Sequence, residues 1–340
     1  MTEQFSWGHT ISKVLSGRSL DEEETAAAMA EIMEGAATPA QIAGFVVALR
    51  AKGETTDEIV GLVRSMRSFA ERVEIEGELL DTCGTGGDRT GTFNVSTAAA
   101  IVCAGAGARV AKHGNRAASS RCGSADVLEA LGVKVDLPPE GVARCIETAG
   151  IGFCFAPVFH PAMRHAGVPR RELGVATIFN FLGPLTNPAG ARRQALGVAD
   201  PAMVERMVET LGRLGSERVL AFHGADGLDE LSTSGPSQVV ELADGQITRW
   251  TIDPAELGID PAPTEALAGG DASQNAQMIR DLLESEPGPR RDVVVLNAAA
   301  GLVAAGIAAD MAAGLEKARA AVDDGSAKSA LDRMIEVSTA

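Results

Sequence analysis

The sequence has no Cys-x-x-Cys pair: Cys83, Cys103, Cys122, Cys145 and Cys154 are scattered without metal-ligand spacing, which excludes a zinc ribbon or a dithiol redox motif. An odd count predicts reduced thiols in a reducing compartment. His9, His160, His165 and His223 show no metal-ligand spacing either, so no zinc site is expected. No apolar run reaches membrane-spanning length, and the opening residues MTEQFSWGHTISKVLSGRS carry no apolar core of signal-peptide length. A cytoplasmic protein is expected. Positive charge is also short: 30 Lys and Arg against 46 Asp and Glu leave a net charge of −16. That balance argues against nucleic acid and anionic membrane as partners, since both select for a spread of basic residues. An anionic substrate would need a local basic cluster. No internal repeat or low-complexity tract is present, apart from Ala-rich segments near the carboxyl end.

What is present suits a globular chain. With 340 residues and 45% apolar content, it can bury a sizeable core and divide into two domains. Ser19-x-x-Glu22, Thr38-x-x-Gln41 with Pro39, and Thr55-x-x-Glu58 have the form of capping boxes, and Gly35 and Gly53 follow as stops. Residues 1–76 therefore read as all-helical. Strands are expected at 78–81, 108–111, 151–155, 195–200 and 218–222, alternating with helices at 96–104, 124–131, 141–149 and 202–214. The pattern is α/β, with a central, mostly parallel sheet flanked by helices and a ligand site at the carboxyl ends of its strands. Proline and glycine punctuate 160–190, as a linker or a return to the helical domain. The expected division is a helical domain of 1–76, joined by about 162–188, and an α/β domain of 77–161 and 189–340.

The segment Gly84-Thr85-Gly86-Gly87-Asp88 concentrates glycines where a backbone can bend tightly and aim N–H groups at phosphate oxygens. It fails the Walker pattern, with Gly91-Thr92-Phe93 where Gly-Lys-Ser/Thr belongs, and the dinucleotide pattern, with Arg89 in place of the third glycine. Asp88 would repel a bare phosphate, so it belongs beside sugar hydroxyls, a metal ion or metal-bound water. A basic segment, Lys112-His113-Gly114-Asn115-Arg116-Ala117-Ala118-Ser119-Ser120, follows. Together they suggest a sugar phosphate with metal, against the plainer reading of a glycine-rich strand-to-helix turn.

Asp81 through Asp88, Gly91 through Thr97, Lys112 through Ser120, Gly123 through Glu129, Phe179 through Pro188 and Gly227-Leu228-Asp229-Glu230-Leu231-Ser232 resemble, in order, the motifs of the anthranilate phosphoribosyltransferase family of tryptophan biosynthesis. The resemblance implies that Gly84, Gly87, Asp88, Thr92, Asn94, Val95, Ser96, Thr97, Lys112 through Ser120, and Ser124 contact phosphoribosyl pyrophosphate. Lys112 would supply a compact positive charge. It implies anthranilate contacts at Gly84, His113, Asn115 and Arg170, the last as a planar reader of a carboxylate. It also implies one or two Mg2+ ions held by Ser96, Asp229 and Glu230, and a homodimer. Val168-Pro169 stands before Arg170 where relatives have Pro-Val, and Ala176 stands where Arg is common. His113 has a plainer reading as a loop hydrogen bonder.

The implied chemistry is transfer at the anomeric carbon to an aromatic amine, by positioning and electrostatics without a nucleophile or strong base on the enzyme. Two rival activities fit parts of the pattern. A pyrimidine nucleoside phosphorylase would share the fold and the Lys-His segment without needing Asp229, Glu230 or Arg170. A non-catalytic nucleic-acid-binding relative would need a basic surface.

Overall fold

Capping chemistry decides where the first helices begin. The Thr38 hydroxyl accepts from Gln41 N while the Gln41 amide returns to Thr38 N, and Thr55 and Glu58 repeat the exchange. The box expected at Ser19 and Glu22 lies two residues later. Asp21 accepts from Glu24 N at 2.8 Å, and Glu24 accepts from Asp21 N at 2.8 Å.

The computed structural model describes residues 5–117 and 121–340. Its elements begin with α1 (Trp7–Leu15), α2 (Glu22–Met33), α3 (Pro39–Lys52) and α4 (Thr56–Ser68). There follow β1 (Leu80–Gly84), α5 (Val95–Gly105), β2 (Val110–Gly114), α6 (Ser124–Leu131), α7 (Pro139–Ala149) and β3 (Ile151–Phe155). Short helices α8 (Ala156–Phe159), α9 (Arg164–Leu173) and α10 (Phe179–Leu182) lead to β4 (Arg193–Gly197), α11 (Pro201–Arg213) and β5 (Arg218–Gly224). A hairpin, β6 (Ser237–Ala243) and β7 (Gln246–Ile252), precedes α12 (Ala272–Leu283), α13 (Pro289–Ala304), α14 (Met311–Asp323) and α15 (Ser326–Thr339).

The strands form one seven-stranded sheet in the order β3-β2-β1-β4-β5-β6-β7. Pairs from β3 through β5 are parallel, and β6 and β7 add antiparallel at one edge. Two strands start later than local sequence suggests. β1 runs to Gly84 instead of ending at Asp81, and β2 covers Val110–Gly114 instead of 108–111, because Leu80 registers with Val110 and Gly84 with Gly197. Lys112 and His113 are consequently strand residues.

Residues 161–188 return to the helical bundle. Ala166, Ile178, Phe179, Phe181 and Leu182 share a core with Trp7, Met29 and Phe45, and that core continues through Met203 and Met207 of α11 onto Leu196, Val219 and Ala221 of the sheet. The other face is covered by α5, α13 and α15, where small residues such as Ala98, Ala299 and Ala327 let helix backbones lie close. Among the described residues, no helix is long and apolar enough to cross a membrane.

Candidate active site

β1 stands at the point where the chain order reverses, with β2 on one side and β4 on the other. Connections diverge from the carboxyl ends there, leaving a crevice that α/β sheets use for ligands. The glycine loop leaves β1 at this position. Its Gly86 and Gly87 have φ of +67° and +88°, and a Cβ on either would meet no atom within 4 Å. Those two glycines serve backbone conformation in open space. Gly84 serves contact instead: a Cβ there would lie 2.5 Å from Asp229 Oδ2, and one on neighbouring Gly197 would lie 1.6 Å from the Asp229 carbonyl oxygen. Bare strand ends let the acidic loop lie across them.

That loop occupies part of the expected phosphate nest. Gly86 N donates to Asp229 Oδ2 at 2.6 Å, and Ser96 N, in the first turn of α5, donates to Glu230 Oε1 at 3.1 Å. Residues well over a hundred positions apart therefore make one wall. Asp229 and Glu230 are buried, and burial, reinforced by neighbouring Asp88, pushes the Asp229 carboxyl up to about 7. Burial and then Asp229 raise Glu230 well above the carboxylate range. Crowded carboxylates of this kind fit a divalent cation, which would relieve their desolvation and mutual repulsion. Among the described residues, no group of three or more His, Cys, Asp or Glu side chains is arranged to hold a metal by itself. Mg2+ suits such a set, since it takes one or two carboxylates and completes its octahedron with substrate phosphates and water. Asp88 also accepts from Thr90 N and Thr90 Oγ1.

Lys112 is not an open clamp. It is 2% exposed, and its ammonium donates to the Thr82 carbonyl at 2.5 Å, beneath the cradle. Burial lowers its pKa, while Asp81, then Cys83 and Glu230, act in the opposite direction. Asp81 in turn accepts from His113 N at 3.1 Å and Asn187 Nδ2 at 2.8 Å. The charge thus sits below the acid pair as a buried counterion.

His113 is buried with Nδ1 3.0 Å from the Gly183 carbonyl oxygen, so Nδ1 carries the proton and donates. Its Nε2 has no protein partner among the described residues, and the His160 ring lies 5.1 Å away, centroid to centroid. The plainer reading of His113 therefore accounts for one nitrogen only. Burial first, then the neighbouring His160, lowers the His113 pKa to about 3; burial lowers His160 to about 4. An unfolded histidine takes a proton near pH 6.5 that these rings refuse, so their contribution to stability is whole above 6.5 and is lost as pH falls toward 4. The free energy of unfolding measured in urea is expected to drop between pH 7 and 5, by up to about 1.4 kcal/mol per pH unit for each ring. His160→Asn should flatten the dependence, and an unchanged slope would refute the assignment.

The basic segment divides. Arg116 is paired with Asp126 and Glu129 at 2.9 and 2.5 Å and lies over the Phe155 ring, so its charge is committed within the protein. Asn115 is exposed, Ala117 N donates to Asp126 Oδ2, and Ser124 opens α6. Ala118, Ser119 and Ser120 lie outside the described residues. In the glycine-loop half, Thr92, Asn94 and Ser96 are partly buried at the crevice, while Val95 and Thr97 are buried in α5. Arg170 stands in the last turn of α9, with Pro169 accommodated inside that helix. Its guanidinium lies 5.5 Å from the Phe179 ring centroid, burial lowers its pKa, and no ion pair engages it among the described residues. A half-buried guanidinium without an internal acid fits an incoming carboxylate.

Comparison with known proteins identifies the family of the whole chain. A glycosyl transferase family helical bundle domain matches residues 9–70, and the a/b domain of the same family matches 76–328. Anthranilate phosphoribosyltransferase of Roseiflexus castenholzii is 57% identical over 331 residues, covering 97% of both chains. The chain belongs to the anthranilate phosphoribosyltransferase family. The Arthrobacter member is 55% identical over 97% of this chain and 95% of its own. The solved family member from Thermus thermophilus superposes with a TM-score of 0.92 at 47% identity, covering 97% and 99% of the two chains. The Saccharomyces cerevisiae enzyme, solved in complex with PRPP and Mg, gives 0.89 at 25% identity over 98% of each.

Two residues that hold the acidic loop in place are not apparent from local motifs. Asn297 of α13 accepts from Leu231 N at 2.9 Å and donates to the Leu231 carbonyl at 3.0 Å, gripping the residue after Glu230. Asp226 accepts from Ser232, Ser234 and Thr264 hydroxyls and ties the same loop from its other side. Asn297 did carry a signal, as a lone amide in an apolar helix. Asp226 carried none that local sequence could rank.

Proposed function

We propose that this chain transfers the phosphoribosyl group of phosphoribosyl pyrophosphate to the amine of anthranilate. The products are N-(5-phosphoribosyl)anthranilate and pyrophosphate, a step of tryptophan biosynthesis. The observation that carries the reading is the acid loop laid across the glycine loop, with Asp229 on Gly86 N and Glu230 on Ser96 N, in a chain this similar to its relatives. A pyrimidine nucleoside phosphorylase is not favoured, and the −16 charge weighs against a nucleic-acid-binding role.

In this reading Asp229, Glu230 and the Ser96 hydroxyl hold one or two Mg2+ ions, and Thr92, Asn94 and the open glycine N–H groups bind sugar phosphate as neutral donors. Bound Mg2+ would offset charge developing on the departing pyrophosphate. Arg170 orients anthranilate through its carboxylate, with neutral His113 and Asn115 beside the ring. The amine attacks as the pyrophosphate leaves and loses its proton late, so no enzyme nucleophile takes part. Residues 1–76 with 162–188 act as the helical domain, and the protein works in the cytoplasm. We also propose a homodimer through this bundle, where α1, α3 and α9 leave Leu15, Val47 and Val168 exposed. Sedimentation as a monomer would exclude it.

The test is to mix the protein with phosphoribosyl pyrophosphate, Mg2+ and anthranilate and follow anthranilate fluorescence. Mg2+-dependent decay is expected. No decay, or Mg2+-independent cleavage of uridine or thymidine, would overturn the reading.

A further inference from the structure

The segment Gly91 through Thr97 and the turn that enters α6 are separate in sequence, yet a residue outside both, Asn275, joins them through Asn94. Residues 267–269, far along the chain, lie against the glycine loop: Phe93 N donates to the Leu267 carbonyl at 3.0 Å, and Gly269 N donates to the Gly91 carbonyl at 2.9 Å. A Cβ on Gly269 would come within 2.9 Å of Phe93 Cα. The clamp leads into α12, whose start is capped by Asp271 and Gln274. Asn275, 2% exposed, then projects from α12 to the loop.

Its amide sits in a relay whose polarity is forced at both ends. Gly270 N, which can only donate, is 2.7 Å from Asn275 Oδ1. Asn275 must therefore present its Nδ2 to Asn94, where it meets Oδ1 at 2.9 Å. Asn94 is left to present Nδ2 to the Cys122 carbonyl, which can only accept, at 3.2 Å. Each amide has one orientation compatible with its neighbours. Asn94 opens α5 without capping it through its side chain, so its Oδ1 and one Nδ2 hydrogen serve this relay, and the second Nδ2 hydrogen is left for substrate. The Cys122 carbonyl belongs to the turn that enters α6 and Ser124.

We infer that Asn275 is a positioning residue for phosphoribosyl pyrophosphate. It sets the orientation of the Asn94 amide and so holds the glycine-loop half of the substrate cradle at a fixed distance from the α6 half. The inference rests on the proposal that these two halves bind that substrate. Preorganisation of this kind acts on binding of one substrate and leaves the anthranilate side, around Arg170 and His113, untouched.

Asn275→Asp isolates the effect, because it is isosteric and keeps an acceptor for Gly270 N while losing the donor to Asn94. Asn94 must then turn its Nδ2 toward position 275 and its oxygen toward the Cys122 carbonyl, which breaks the link. N275D is expected to raise KM for phosphoribosyl pyrophosphate about fivefold to tenfold, the worth of roughly one hydrogen bond, with KM for anthranilate unchanged. Combined with Asn94→Ala, it should add little, since both substitutions cut one relay. Multiplying effects in the double variant, or an N275D KM for phosphoribosyl pyrophosphate equal to wild type, would overturn the inference. Asn275→Ser, smaller and uncharged, gives the same reading should N275D not fold. An inactive wild-type protein in the same assay would instead refute the proposed function.

Discussion

Glu230→Gln is expected to lower kcat/KM by on the order of 100- to 1,000-fold, the scale seen when a preorganised charge is removed from a reaction centre. Gln keeps an acceptor for Ser96 N, 3.1 Å away in the parent protein, so the wall should stand while the charge disappears. Stability should move the other way. Burial and the Asp229 carboxylate hold the Glu230 pKa well above the ordinary range, which means that ionising Glu230 costs free energy in the folded chain without metal. Removing it leaves Lys112 with Asp81, its largest favourable partner, and relieves a like-charge contact with Asp229. The variant is therefore expected to unfold at an equal or higher urea concentration while demanding more Mg2+ for turnover. A Mg2+ titration of activity, paired with urea unfolding without metal, separates the two effects. Full activity at wild-type Mg2+ demand would remove Glu230 from the metal site.

Arg170→Ala is expected to raise KM for anthranilate by roughly 100-fold, the loss of a charge-assisted bidentate pair in a partly desolvated place. The guanidinium is shielded enough for burial to lower its pKa, and it rests on Phe179 without an internal carboxylate. KM for phosphoribosyl pyrophosphate should stay put, because the glycine loop and acid pair are held by other elements. Arg170→Lys should recover little, since an ammonium offers a point charge where a planar fork is wanted. Initial rates over both substrates give the answer. A rise in both KM values together would mean that Arg170 supports the fold of 164–188 and does not read the substrate.

Much of this architecture was legible in local sequence. Helices starting at Thr38 and Thr55, the strand Ile151–Phe155 and the helix from Ser124 depend on hydroxyl caps, Pro39 and apolar runs within one or two turns. Boundaries failed where a partner decides them. β2 shifted by two or three residues because its register is set by β1 and β3, and with it Lys112 passed from an expected loop into a buried strand. Gly84 was read for its approach to a ligand, but its missing Cβ first makes room for Asp229.

The amino-acid sequence by itself determined the alternation of helices and strands, the family, and the inventory of glycines, hydroxyls, carboxylates and arginines from which a site could be made. Those are properties of residue type and short-range order, written within a few positions. Tertiary structure alone decided that Asp229 would take the Gly86 N–H from 143 residues away, that Glu230 would reach Ser96 across 134, and that Asn275 would orient Asn94 across 181. It also decided that Lys112 would lie beneath the acids instead of facing the crevice. The physical reason is range. A hydrogen bond is made or lost within a few tenths of an ångström, and distances on that scale between remote segments follow from sheet register and loop closure, which no local pattern records.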